Sequence, residues 1–299
     1  MTAAAPSPPE RLGLIVGCRG FGDCLFTLAV MRKLYTLGEG RCRFDVFTHQ
    51  PDLFRGAPFV ASAQAMGDES AIRAYPHGKR VLFELSKLPH FAMDTFDFVS
   101  VPLGIGTLSY REKRLEYYPE EDDTAQAFDV VLNTSMTWPS RSWPIERWQR
   151  LADMLRGRGL SVAVVGKDVE NPSDDMVKRS PPLTGVTNLA NKLSLDQTYY
   201  TIARAGLFVS CQNGLSVLAG ATDTEIVVLD MSIEWSKRAI YRDDSPFHKV
   251  TYVKGGCEIY CASGFKCVLP NPAEHFTCVP TYDAVEAAVL AKLPVRAAP

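Results

Sequence analysis

The sequence predicts an α/β protein made of two successive Rossmann-like halves facing each other across a cleft. Three observations carry this reading. Short apolar runs alternate with stretches of helical periodicity along the 299 residues. Glycine-rich turns fall where a strand hands over to a helix, and a polar segment, Tyr118 to Thr124, separates two such series. With 46% apolar residues, each half can bury a core.

Residues 1–11 read as a disordered leader, because Met1 to Glu10 is rich in Ala, Pro and Ser and has neither a basic n-region nor an apolar core. Residues 12–122 form the first half. Leu12 to Val16 is a buried strand, Gly17, Gly20 and Gly22 make a tight turn, and Cys24 to Tyr35 is a helix. Arg43–Thr48, Val81–Leu85 and Phe98–Val101 read as further strands, with Ala61–Tyr75 and Leu108–Tyr118 as candidate helices. Pro76, Pro89, Pro102 and Gly104 to Gly106 mark crevice-side loops.

Residues 123–299 form the second half. Phe128–Asn133 is a strand, and Pro144–Arg156 a helix with Pro144 in its first turn and Gly157 as terminator. Leu160–Gly166 is the next strand. Ser194–Ala205 is a helix opened by a capping box of Ser194 and Gln197 and closed by Gly206. Strand Leu207–Cys211, a turn at Gln212 to Leu215, a small-residue helix through Ala221 and strand Glu225–Asp230 follow. The last helix, Tyr282–Leu293, takes Thr281 as its cap.

The 32 basic and 34 acidic residues nearly cancel, so no overall field draws the chain to nucleic acid or a membrane surface. No apolar run reaches the roughly 18 residues of a spanning helix. A soluble, cytoplasmic monomer is expected. In that compartment the eight cysteines are thiols or metal ligands. Four of them, Cys257, Cys261, Cys267 and Cys278, lie at C-x3-C-x5-C-x10-C spacing in a cysteine-rich segment, 257–278. A structural zinc or iron site, disulfides and free thiols are all open readings, and His275 could replace one ligand.

Asp23 is the first residue that points to chemistry. The glycine spacing 17, 20, 22 is not Gly-x-Gly-x-x-Gly, and a carboxylate at the helix entry repels a pyrophosphate. The Gly20–Gly22–Asp23 loop therefore reads as the seat of a reacting group, with phosphate bound elsewhere. The alternative is that Asp23 is simply the helix N-cap.

Two stretches of the second half suit anions. Asn133 to Trp148 joins a strand end to a helix start and offers hydroxyls at 134, 135, 137, 140 and 142 beside Arg141, the donor set that phosphate oxygens need. Its bland reading is a polar loop whose Trp143 and Trp148 are packing residues. Ser210 to Ala221 again runs from strand to glycine turn to helix, and the backbone N–H groups from Asn213 to Ser216 are expected to be free for a second anion site. Lys237 and Arg238, after Trp235, are further candidates for a sugar or diphosphate, with a solvated charge pair as the alternative. Cys18 and Cys24 flank Asp23 and read as small buried fillers.

Three segments together resemble the family 9 glycosyltransferases, the heptosyltransferase-like group of the GT-B fold. They are Gly-Phe-Gly-Asp-Cys-Leu with Arg32-Lys33 downstream, Arg-Ser-Trp-Pro-Ile-Glu-Arg-Trp at 141 to 148, and the tail from Cys257 to the final helix. The resemblance implies Asp23 as general base, Arg141, Thr137 and Ser135 as holders of the diphosphate, and Gln212-Asn213-Gly214-Leu215 as the donor turn. After the 160–166 strand it implies an acid for the nucleoside ribose, Glu170 or Asp168. Lys237 joins the donor contacts. The chain departs from the family at Gln212, where an Asp is usual, at Val217, where a His is usual, and at Arg141, which replaces Lys.

The function implied is inverting transfer of a sugar from a nucleotide diphosphate sugar to an acceptor hydroxyl, with no obligatory catalytic metal. The acceptor, whether saccharide, protein or another polymer, is not legible. Two competing readings are a catalytically inactive GT-B binding or scaffold module and a GT-B-like sugar-nucleotide epimerase.

Overall fold

The computed structural model describes residues 9–18, 20–67, 73–75, 80–83, 94–101, 103–136, 139–171, 176–259 and 278–293. Pro76, Pro89, Pro102, Thr137, Cys261, Cys267 and His275 lie outside these residues. The chain separates into two units, Met1–Tyr118 and Pro119–Pro299. Tyr118 stays with the first, its ring edge-on to Phe59 at 6.0 Å. The acidic segment after it belongs to the second, because Arg204 donates to the carbonyls of Asp122 and Ala125.

The first unit carries a parallel sheet in the order β3-β2-β1-β4, with β1 at Glu10–Val16, β2 at Cys42–Thr48, β3 at Val60–Ala65 and β4 at Arg80–Phe83. The expected leader is too long by two residues, since β1 starts at Glu10, whose N–H bonds to Arg41 O at 2.8 Å. Helix α1 (Phe21–Leu37) buries every residue from Cys24 to Met31, so it is apolar all round rather than amphipathic. Phe26 meets Phe96 of α2 (Thr95–Ser100) edge-on at 4.8 Å.

Three expectations for this unit fail. The strand expected at Phe98–Val101 is the helix α2, because Asp94 caps it by accepting from Asp97 N at 2.9 Å and this outweighs the alternation of Phe96 and Phe98. The helix expected from Ala61 begins as strand β3, paired in parallel with β2; Ala-rich propensity yields to tertiary pairing. Leu108–Tyr118 is not helical but irregular, burying alternate residues Lys113, Leu115 and Tyr117.

That irregular segment is held by charge. Lys113, 4% exposed, binds Asp94 at 2.5 Å and Asp97 at 2.8 Å, while Arg32 and Lys33 of α1 bind Glu116 and Glu112. Lys33, with help from Ser109, holds the Glu112 carboxyl down to about 2. A carboxyl depressed in the folded state stabilises above its unfolded pKa and loses that contribution as pH falls. Unfolding midpoints should therefore drop between about pH 4.5 and 2 in the wild type, and Lys33→Met should remove part of that slope; equal slopes in both would exclude this link.

The second unit has a parallel sheet in the order β12-β11-β10-β5-β6-β9 and an antiparallel pair β7-β8. The strands are β5 (Val130–Asn133), β6 (Val162–Val165), β7 (Val169–Asn171), β8 (Met176–Lys178), β9 (Thr187–Asn188), β10 (Leu207–Cys211), β11 (Glu225–Asp230) and β12 (Val250–Lys254). Helices α3 (Ile145–Gly157), α4 (Leu195–Ala203), α5 (Gly214–Gly220) and α6 (Tyr282–Lys292) complete it. Pro144 is the N-cap of α3 rather than part of its first turn. The Ser194–Gln197 capping box and the Thr281 cap form as the residues require. Strands β5, β6 and β10 are buried along their whole length, the mark of a sheet covered on both faces.

Candidate active site

In the first unit the β1–α1 turn delivers Asp23. Gly20, not Asp23, is the N-cap of α1 and makes no side-chain capping bond. Asp23 therefore sits in the first helical turn, half-buried, where the helix dipole favours its negative charge. Its carboxylate folds back over Gly20, so that a methyl group at residue 20 would overlap Oδ2. Cys18 and Cys24 are buried beneath it with sulfurs 3.4 Å apart. Their mutual hydrogen bond and burial push the Cys18 thiol up, so this pair is packing and not a nucleophile.

In the second unit the relevant loops leave the carboxyl ends of β5, β6, β10 and β11, the side of a parallel sheet where ligands bind. Register places Cys211 beside Leu229, so Gln212 and Asp230 are the next neighbours across the strand ends. Asn133 knits this edge together. Its Nδ2 donates to Ser135 Oγ at 2.8 Å and to Val165 O at 2.9 Å, and its Oδ1 accepts from Asn213 Nδ2 at 2.6 Å. Ser135 in turn lies 2.8 Å from Ser180 Oγ.

This network alters two expectations. Ser135 is 1% exposed and its hydroxyl is already engaged, so it braces the loop instead of presenting a free donor. The amides expected to be free at the start of α5 are largely occupied: Asn213 Oδ1 accepts from Leu215 N at 2.9 Å and Ser216 N at 3.4 Å, and Asn213 N donates to Ser216 Oγ at 3.1 Å. A capping box is the reason, Asn213 and Ser216 satisfying each other's backbone. The anion cradle read from backbone N–H groups does not stand.

Gln212 is different. It is 4% exposed, and neither its amide nitrogen nor its amide oxygen has a hydrogen-bond partner among the described residues. Leaving such a group unbonded costs about 1–3 kcal/mol. Arg141 closes a short 3-10 turn, Pro139–Arg141. Its positive charge is felt by the Cys211 thiol, which burial nonetheless pushes up to about 12. Gln212 directly follows Cys211 at the carboxyl end of β10.

The remaining candidates are spread over the same unit. Glu170 is in β7, opposite Val177 of β8. Asp168 is half-buried, and its Oδ1 accepts from Ser180 N at 2.8 Å. Lys237 stands on the 3-10 turn Trp235–Arg238. Trp235 of that turn, with Phe247 and Tyr252, walls a cavity of about 400 Å³ that also meets Asp230 and Lys254. No group of three or more metal-ligating side chains occurs among the described residues. Of the tail cysteines, Cys257 Sγ donates to Ile259 O at 3.3 Å and the buried Cys278 reaches Ser140 O at 3.8 Å.

Sequence reading missed the Asn133 network and the C-terminal contacts of the Arg141 loop. Asn133 could have been found as a polar residue ending an otherwise apolar strand. The backbone carbonyl of Pro280, an acceptor in this loop's support, leaves no mark in the sequence.

Residues 89–229 match the model of glycosyltransferase family 9 (heptosyltransferase). Lipooligosaccharide heptosyltransferase 2 of Haemophilus influenzae is 28% identical over 94 residues, which are 30% of this chain and 27% of that protein. The chain thus aligns with about a quarter of the length of this curated relative. Among solved structures, a glycosyl transferase family 9 protein of Veillonella parvula superimposes with a TM-score of 0.68 at 12% identity, covering 97% of this chain and 99% of that one. The iron-containing dodecameric glycosyltransferase TibC of enterotoxigenic E. coli gives 0.69 at 16% identity, over 95% and 77%. E. coli ADP-heptose heptosyltransferase II gives 0.58 at 15%, over 94% and 98%. These likenesses establish the GT-B fold. No described helix is long and apolar enough to cross a membrane.

Proposed function

We propose, for a chain whose residues 89–229 belong to glycosyltransferase family 9, that it transfers a sugar from a nucleotide diphosphate sugar to an acceptor hydroxyl with inversion at the anomeric carbon. Asp23 takes the acceptor proton as general base. Arg141 holds the departing diphosphate, whose negative charge grows as the glycosidic bond breaks. Thr137 joins Arg141, and Ser135 holds the loop through Asn133. Gln212 spends its amide on the donor, Glu170 or Asp168 addresses the ribose, and Lys237 is a further donor contact. No catalytic metal is required by this scheme.

The observation that carries the reading is the buried Gln212 amide just past the carboxyl end of β10, unbonded at both ends among the described residues. A ligand that bonds this amide would recover that cost. ADP-heptose is the first donor to test, because the TibC structure at 17% identity is a complex with ADP-D-β-D-heptose. Hydrolysis of ADP-heptose and of GDP- and UDP-hexoses to free sugar and nucleoside diphosphate, with water taking the place of the acceptor hydroxyl, would be measured with purified protein. Turnover of one donor is expected; saturable binding without turnover would favour the scaffold reading, and failure to bind any nucleotide would overturn the donor site.

A further inference from the structure

The loop that carries Arg141 is held from the far end of the chain. Trp143, two residues after Arg141 and fully buried, donates its indole N–H to Pro280 O at 2.9 Å. Arg147, in the first turn of α3, donates to the same oxygen at 2.9 Å. The Trp143 ring lies parallel to Tyr282 at 6.2 Å and edge-on to Trp148 at 4.9 Å. On the other side of Arg141, Ser140 O accepts from the Cys278 thiol at 3.8 Å. The residues before and after the guanidinium are both tied to the segment 278–282.

That support is rigid for identifiable reasons. Proline fixes its own φ, and the next residue, Thr281, is committed as the N-cap of α6 through Ala284 N at 3.3 Å. Cys278 itself is pressed against Gly255, where any side chain would collide with its carbonyl. The two buried tryptophans also differ in kind. Trp148 Nε1 is buried with no partner among the described residues, so ring packing accounts for that tryptophan. At 143 the N–H is used, which is what distinguishes tryptophan from phenylalanine in a core.

The geometry points to Trp143 as a positioning residue: its bond to Pro280 holds the Arg141 loop in the shape that receives a diphosphate. This rests on the donor reading given above. A guanidinium on a loosely held loop must be ordered when the anion binds, and that ordering is subtracted from affinity. A latch made in advance removes the loss. The C-terminal segment is on this account a working part of the donor site, acting through the loop that it holds.

The test is Trp143→Phe, which keeps an aromatic ring at 143 and removes only the N–H. Amide hydrogen exchange would be followed over residues 139–143, and binding of ADP, GDP and UDP measured by calorimetry, in wild type, Trp143→Phe, Arg141→Ala and the double variant. Faster exchange in the loop is expected for Trp143→Phe, with the preferred diphosphate bound about 5- to 10-fold more weakly, the worth of one hydrogen bond. In the double variant the loss should equal that of Arg141→Ala alone, because Trp143 acts through Arg141.

Unchanged exchange at 139–143 in a folded Trp143→Phe protein would overturn the latch whatever the binding data. So would losses that add in full. If instead Arg141→Ala binds every diphosphate as wild type does, the donor reading fails, and the latch as a donor device with it. A Trp143→Phe protein that does not fold would be replaced by Arg147→Met, which removes the other donor to Pro280 O and must show the same faster exchange.

Discussion

Asp23→Asn leaves a folded protein that binds nucleoside diphosphate as before and transfers sugar with kcat lower by about 10²- to 10⁴-fold, the usual contribution of a positioned base. Asparagine matches the shape of aspartate and loses the basic oxygen. The bond that Thr27 Oγ1 donates to Asp23 O at 2.9 Å uses the backbone and is kept by asparagine. Losing a charge that suits the helix dipole costs about 0.3–1 kcal/mol. Gly20→Ala is the companion experiment, since its methyl group would overlap Oδ2 and displace the carboxylate without removing it. A partial loss of kcat is expected there, with diphosphate affinity unchanged. Asp23→Asn turning over at the wild-type rate would remove the base from the scheme.

The largest effect on stability is expected at Arg242, which takes no part in the proposed chemistry. It is 5% exposed, and its guanidinium donates to the carbonyls of Ala219, Gly220 and Thr224, bolting the end of α5 to the start of β11. Burial pulls its pKa down to about 10, which still leaves it charged at neutral pH. The carbonyls of Ala219 and Gly220 lie at the negative end of α5, where a cation is favoured. Arg242→Leu fills part of the volume and removes these charge-assisted bonds, at a cost of about 3 kcal/mol. At roughly 2–4 °C per kcal/mol, the second unit should melt roughly 6–12 °C lower by calorimetry. A loss under about 1 kcal/mol would mean that water replaces the guanidinium.

The second unit was more legible in the sequence than the first. Leu207–Cys211 and Glu225–Asp230 are strands over the residues read. The Ser194–Gln197 box and the Thr281 cap are local chemistry that a window of a few residues contains. In the first unit Phe98–Val101 turns on the local Asp94 cap, while the other two segments read wrongly depend on a distant partner. Val60–Ala65 becomes a strand because β2 offers it an edge, and Leu108–Tyr118 stays irregular with Arg32 and Lys33 of α1 holding its carboxylates.

The candidate site divides along the same line. Asp23 and Arg141 were readable as candidates because a charge at a strand-to-helix turn is conspicuous in one dimension, whereas Gln212 entered only through the family resemblance. Whether a backbone N–H is free is not readable in that way. Asn213 looks like part of an anion cradle until its side chain is seen to occupy the amides of Leu215 and Ser216.

By itself the sequence determined the class of the fold, the separation into two α/β series and the residue types available for base and anion chemistry, since those follow from periodicity, capping and composition. Only the tertiary structure decided which polar groups remain unspent. It consumed the α5 amides and the Ser135 hydroxyl, left the Gln212 amide open, and tied the Arg141 loop to Pro280. A hydrogen bond is a statement about two groups within about 3 Å, and such closeness between residues far apart in the chain exists only once the chain has folded.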